Sequence, residues 1–130
     1  MRSSSKFVVA GLAAALAITG VTAGMHVARA AAPPHAFIIA EINVKDAAAY
    51  KPYADQAAKI VAKYGGHYLA RGGATKSIEG DAPTNRIAII EFPSMDALEK
   101  FEASPEYTAV KPIRQRNATS RIFAVEGVAP

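Results

Sequence analysis

Tyr64-Gly65-Gly66-His67-Tyr68-Leu69-Ala70-Arg71-Gly72-Gly73 decides how the rest of the chain is read. The first glycine pair ends a helix, since a helix stop favours a left-handed residue that only glycine adopts without cost. Extended chain runs from His67 to Arg71. The second pair predicts a bulge or bend, after which Thr75 to Glu79 is expected to continue the strand. On each side stands a strand-then-helix unit of similar design.

Upstream, His35 to Val44 reads as a first strand, apolar on both alternating faces except at Glu41, which predicts burial on both sides. Asp46 is an N-cap. Pro52 interrupts the helical pattern beyond it, so the spacing predicts a short turn at Asp46–Tyr50 and a main helix with Pro52 in its first turn. Its buried stripe is Tyr53, Ala57, Ile60, Val61 and Tyr64.

Downstream, Gly80-Asp81-Ala82-Pro83-Thr84 is a turn by composition. Arg86 to Phe92 is a third strand, apolar on both faces except at Glu91. Ser94 caps a second helix with the stripe Met95, Leu98 and Phe101. Ser104-Pro105 opens another short helix, which Pro112 is expected to loosen or end. Thr119 to Val125 is the fourth strand. The order β-α-β-β-α-β predicts an α+β, ferredoxin-like antiparallel sheet with its helices on one face.

A weak repeat aligns Glu41-Ile42-Asn43-Val44-Lys45-Asp46-Ala47 with Glu91-Phe92-Pro93-Ser94-Met95-Asp96-Ala97. It suggests that strands one and three are adjacent and parallel, with Glu41 beside Glu91. Strand alternation puts positions 67, 69 and 71 on one face, and the turn near Asp81 then brings Arg71 to Glu91. Strand four similarly brings Arg121 to Glu41.

The first thirty residues stand apart. Met1 to Lys6 is a short basic start, Phe7 to Ile18 is apolar, and Thr19 to Ala30 is small-residue chain ending Ala28-Arg29-Ala30. That order predicts a cleaved secretory leader at 1–30, with Ala23 and Ala32 as other cut points. An uncleaved anchor is the alternative, because the uncharged run from Phe7 to Met25 is 19 residues, just long enough to span a bilayer. The expected address is periplasmic or secreted, with no stable membrane insertion once the leader is gone. Residues 31–35 are a linker and 36–128 the domain.

Of 15 basic residues against 11 acidic ones, Arg2, Lys6 and Arg29 lie in the leader. The remainder has 12 against 11, a net charge of +1. That balance gives no footprint for nucleic acid. No cysteine is present, which excludes thiol nucleophiles and thiolate metal sites.

Several segments together, namely 64–73, Glu79-Gly80-Asp81, Ile90-Glu91-Phe92-Pro93-Ser94, Ser104-Pro105-Glu106-Tyr107 and Val125-Glu126-Gly127, resemble the family known as domain of unknown function 1330. The likeness runs from about Ala36 to Val128. It implies a dimeric α+β barrel, two ferredoxin-like sheets face to face with helices outside. It implies no established activity. The wider superfamily includes cofactor-free monooxygenases, lactone isomerases and haem-degrading enzymes, an analogy of fold alone. A homodimer also explains the residues themselves, since helices cover one sheet face and the other is apolar too.

The candidate residues support two functional expectations. One is a binding protein for a small anionic or carbonyl-bearing molecule held between helix and sheet. Arg71 is its charge partner, and Glu41, Arg121, Tyr53 and Tyr107 are ligand-binding candidates. The other is a cofactor-independent proton-transfer enzyme, isomerase or monooxygenase-like. Its catalytic base is Glu91 or His67, Arg71 stabilises the developing charge, and one carboxylate is raised in pKa by its neighbour. A purely structural dimer, its charges paired in the interface, is the alternative to both. No metal or other cofactor is expected, because a lone imidazole without carboxylates at ligand spacing is not a metal site.

Overall fold

The structure, a computed structural model, describes residues 30–130, so the expected leader lies outside the described residues apart from Ala30. The elements are β1 (Ala36–Val44), α1 (Ala47–Lys63), β2 (His67–Arg71), β3 (Arg86–Phe92), α2 (Met95–Glu102), α3 (Pro105–Asn117) and β4 (Ala118–Glu126). One four-stranded sheet has the order β2-β3-β1-β4, antiparallel at every pairing. This is the ferredoxin-like topology. Among the described residues no helix is long and apolar enough to cross a membrane.

The caps act as the sequence predicts. Asp46 Oδ1 accepts from the Ala49 amide at 3.0 Å, Ser94 Oγ from Ala97 at 3.1 Å and Ser104 Oγ from Tyr107 at 3.2 Å. α1 ends on Gly65, at φ +80°, with Gly65 N–H donating to Ala62 and Gly66 N–H to Val61. That pair of bonds is a Schellman stop.

Both proline expectations need correction. Pro52 lies inside one continuous helix, Ala47–Lys63, and Pro112 lies inside α3, which runs on to Asn117. A proline removes one helical hydrogen bond. Here burial on either side offsets that loss: Tyr50 and Tyr53 around Pro52, Val110 and Arg114 around Pro112. Asn117 adds a clasp, its Nδ2 donating to Ile113 O at 2.8 Å and its carbonyl accepting from Lys45 N–H.

Thr75–Glu79 does not continue β2. The strand ends at Arg71, and the chain from 72 to 85 is a loop with Ile78 97% exposed. The partner strand decides this. β3 begins at Arg86, and β2 has already reached Ala88 at its last paired residue, Arg71.

The even-numbered residues from Ala36 to Ile42 in β1 and from Ala88 to Phe92 in β3 are buried under the helices. They join Tyr53, Val61, Phe101 and Tyr107 in one core. Phe101 links the layers, with ring centroids 5.2 Å from Phe92 and 4.3 Å from Tyr107. The odd-numbered set, Phe37, Ile39, Ile87 and Ile89, lies on the other sheet face, with only partial cover.

β1 and β3 are antiparallel, not parallel. The crossover through α1 makes β1 and β2 run the same way, and β3 returns between them against both. Glu41 therefore stands opposite Ile87 and Glu91 opposite Phe37. The two carboxylates sit at opposite ends of the open face rather than side by side.

Candidate functional site

The sheet separates the predicted site residues into two groups. β2 carries a bulge: His67 pairs with Glu91 and Tyr68 with Ile90, but Ala70 pairs with Ile89 and Arg71 with Ala88, leaving Leu69 unpaired. The extra residue shifts the alternation, so Tyr68 and Arg71 turn to the helices while His67 stays on the open face. Arg71 is consequently not beside Glu91, and the expected pairing of the two is corrected. Its Nη2 donates to the Ala54 carbonyl of α1 at 2.6 Å, and its guanidinium lies 4.6 Å from the centre of the Tyr68 ring.

On the open face, Glu91 is gripped by two imidazoles. His35 Nδ1 lies 2.6 Å from one carboxylate oxygen and His67 Nε2 lies 2.9 Å from the other. The Glu91 side chain is 19% exposed. Its pKa is lowered, first by the hydrogen bond with His35; burial opposes that effect, and the charge of both imidazoles and the hydrogen bond with His67 add to the lowering. The expected upward shift from a neighbouring carboxylate is overturned, because Glu41 is at the far end. Glu41 is the Cα partner of Arg121, as predicted, and Arg121 stacks on Phe123 at 5.3 Å. Among the described residues no cluster of three His, Asp or Glu side chains has the arrangement of a metal site.

On the helix side, Arg71, Tyr53 and Tyr107 come together around one cavity of about 40 Å³ between α1, α3 and the sheet. At roughly 10–15 Å³ for each water, that is space for a few water molecules. A wider cleft of about 460 Å³ opens beside it, between the start of α1 and β3, and shares Ile42, Tyr50, Ala54 and Arg86 with it. Tyr53 and Tyr107 hydroxyls meet at 3.1 Å. Tyr50, Tyr68 and Arg86 also line the cavity, and sequence reasoning had not named them as site residues. Tyr68 could have been found by its place beside Arg71. Arg86 reads only as a strand start.

Burial raises the pKa of Tyr50, Tyr53, Tyr68 and Tyr107, Tyr68 to about 12, so each phenol stays a neutral donor. Three guanidinium groups oppose that effect at Tyr50, those of Arg86, Arg114 and Arg71. The one carboxylate on the cavity wall, Glu102, is held by Lys111 at 2.9 Å. The cavity thus combines neutral hydroxyl donors with unneutralised positive charge, a setting that favours an anion or a polarised carbonyl.

The topology and this helix–sheet cavity define a ferredoxin-like α+β domain. Residues 35–128 match the model of the family described as domain of unknown function DUF1330, and the chain belongs to that family. Among curated proteins none matches. A solved structure of a protein of unknown function from Rhodopseudomonas palustris is similar at TM-score 0.60, with 19% identity over 75% of this chain and 85% of that one. A variant of SnoaB, a cofactor-independent oxygenase from Streptomyces nogalater, is similar at TM-score 0.54, with 15% identity over 71% of this chain and 91% of that one. At these identities the likeness is one of fold.

Proposed function

We propose that this is an exported homodimeric protein that binds a small anionic or carbonyl-bearing molecule between its helices and its sheet, with Arg71 as charge partner. The observation that carries the reading is the meeting of Arg71, Arg86 and four neutral tyrosines on a cavity whose only lining carboxylate is already engaged. The molecule's polar head enters the narrow cavity near Tyr50 and Arg86, and its body rests in the adjoining cleft. Glu41 and Arg121, on the other sheet face, belong to the subunit contact in this reading. A second copy covers Phe37, Ile39, Ile89, Leu69 (54% exposed), Phe123 (42%) and Val125 (46%).

A thermal-shift panel of small carboxylates and keto acids tests it, since a ligand that binds only the folded state raises the melting temperature. At least one raises it in the full chain, and Arg71→Ala abolishes the rise while leaving the oligomer size unchanged. A panel without any shift removes the reading and leaves the purely structural dimer.

A second reading, cofactor-independent proton transfer, is favoured by the two imidazoles on Glu91. A carboxylate with a lowered pKa is a weak base, so His67 takes that role and Glu91 orients its ring. Arg71 cannot assist across the sheet. SnoaB, described as a cofactor-independent oxygenase, shares the fold only. Exchange of substrate C–H for deuterium, lost in His67→Gln, is the expected signature. Equal exchange in that variant removes the reading.

A further inference from the structure

α3 carries a buried guanidinium with no carboxylate of its own. Arg114 is 8% exposed. Its Nη1 donates to Ser120 Oγ at 2.5 Å, and its guanidinium stands 5.8 Å from the centre of the Tyr53 ring. Its Nε–H is out of solvent and has no acceptor, and among the buried side-chain polar atoms of the described residues it is the one left without a partner. Buried cations normally keep a counter-charge, because taking a charge out of water is costly. The carboxylate on the wall of the same groove, Glu102, is taken by Lys111, whose Nζ also lies 4.9 Å from the centre of the Tyr107 ring.

Arg114 lines a groove of about 190 Å³ between α2, α3 and the β1–β4 pair. The other walls are Ile38, Leu98, Ile122, Phe123 and Ala124, with Glu102 at the side. A guanidinium without a counter-charge on the wall of an apolar groove has the composition of a small-ligand site.

We propose that this groove is a second anion site, taking a small monocarboxylate with an apolar body whose carboxylate pairs with the guanidinium of Arg114. A phosphate fits less well. Its second charge would face Glu102, and it has no apolar body for Ile38, Leu98 and Ile122. The site does not rest on the Arg71 reading, for Arg71 is tied to Ala54 in α1 and lines the other cavity.

The test tracks the Arg114 Nε–Hε signal of the full chain by ¹⁵N NMR, assigned with Arg114→Lys. The probes are benzoate, its uncharged counterpart benzamide, and inorganic phosphate. Benzoate moves the signal saturably, while benzamide and phosphate leave it in place. Arg114→Lys weakens benzoate binding about tenfold or more, as expected for the loss of a charged hydrogen bond in a buried setting. Should that variant misfold, Ala124→Leu narrows the groove from an exposed strand position and weakens binding with the guanidinium intact. Arg71→Ala keeps the benzoate response. The proposal is overturned if saturating benzoate leaves the Arg114 signal unmoved, if benzamide or phosphate moves it as much, or if Arg71→Ala removes the response as well.

Discussion

His67 and Arg71 belong to the same five-residue strand yet face opposite sides of the sheet. Leu69 is the reason. As the unpaired residue of a bulge it adds one step to an alternation that would otherwise put positions 67, 69 and 71 together. The consequence is chemical. The imidazole joins His35 and Glu91 on the open face, and the guanidinium joins the tyrosines under the helices.

Arg71 ties β2 to α1, through its 2.6 Å bond to the Ala54 carbonyl and its stacking on Tyr68. Arg71→Ala is expected to lower stability by about 1 kcal/mol, a charged hydrogen bond discounted for exposure. Arg71→Lys recovers only part of this, because an ammonium lacks the planar face that rests on the ring. Urea denaturation of the three proteins measures it, and a loss of equal size in both variants would assign the whole effect to the stacking.

Gly66 lies where the end of α1 presses on β3. A methyl group there would meet Phe92 Cε1 at 2.6 Å and Val61 Cγ1 at 2.9 Å. Gly66→Ala is expected to cost about 1–3 kcal/mol by overpacking. Gly73 has nothing within 4 Å, so Gly73→Ala is the control and stays within about 0.5 kcal/mol. Thermal melting of the pair decides it, and equal melting temperatures would refute the close approach.

Acid weakens the fold through two carboxylates. Lys63 is the main cause of the drop of the Glu106 pKa to about 2, helped by its own backbone amide and by the Tyr64 hydroxyl at 3.0 Å. Glu91 is lowered by His35 first and by His67. Both start from 4.5 when unfolded. Their contribution is therefore whole above about pH 4.5 and is lost as pH falls toward 2. Urea midpoints measured from neutral pH down to about pH 3 should decline in that window, with a shallower slope in Glu106→Gln.

Alkali acts through the phenols. Tyr68 rises to about 12, and Tyr50, Tyr53 and Tyr107 rise as well, burial being the first cause in each. A raised pKa favours the folded state below the unfolded value of 10.0 and ceases to do so as pH climbs to the folded value. Stability should fall between about pH 10 and 12. Tyrosinate absorbance in the native protein should lag behind that in urea, and coincident curves would show that the four rings are not enclosed.

Phe123 points away from the helix-side core and is 42% exposed. Phe123→Glu should therefore keep the circular dichroism of the folded chain while weakening self-association. Sedimentation velocity reads the result. A parent protein that sediments as a monomer at every concentration removes the homodimer from the proposed function.

Much of the architecture was legible in the sequence because local chemistry decides it. Asp46, Ser94 and Ser104 supply cap oxygens to whichever amides come next, and a glycine at 65 takes the left-handed backbone without strain. The alternation of Ile38, Ala40 and Ile42 with Phe37, Ile39 and Glu41 marks two distinct faces before any partner is known. The prolines misled for the opposite reason. Whether Pro52 and Pro112 break a helix depends on what packs beside them, and Tyr50 and Arg114 lie in contacts that the chain makes only when folded.

The site divides along the same line. The sequence by itself determined which side chains are equipped for chemistry, Arg71, His67, Glu91, Tyr53 and Tyr107 among them, because charge and hydrogen-bonding capacity are properties of the side chain. Only the tertiary structure decided which of them meet. One bulged residue chose the face for Arg71, and strand direction chose the ends for Glu41 and Glu91. The pairing of β2 with β3 and the packing of α3 on the sheet are long-range events, whose energies come from neighbours distant in the chain and leave no local mark at Leu69 or Arg114.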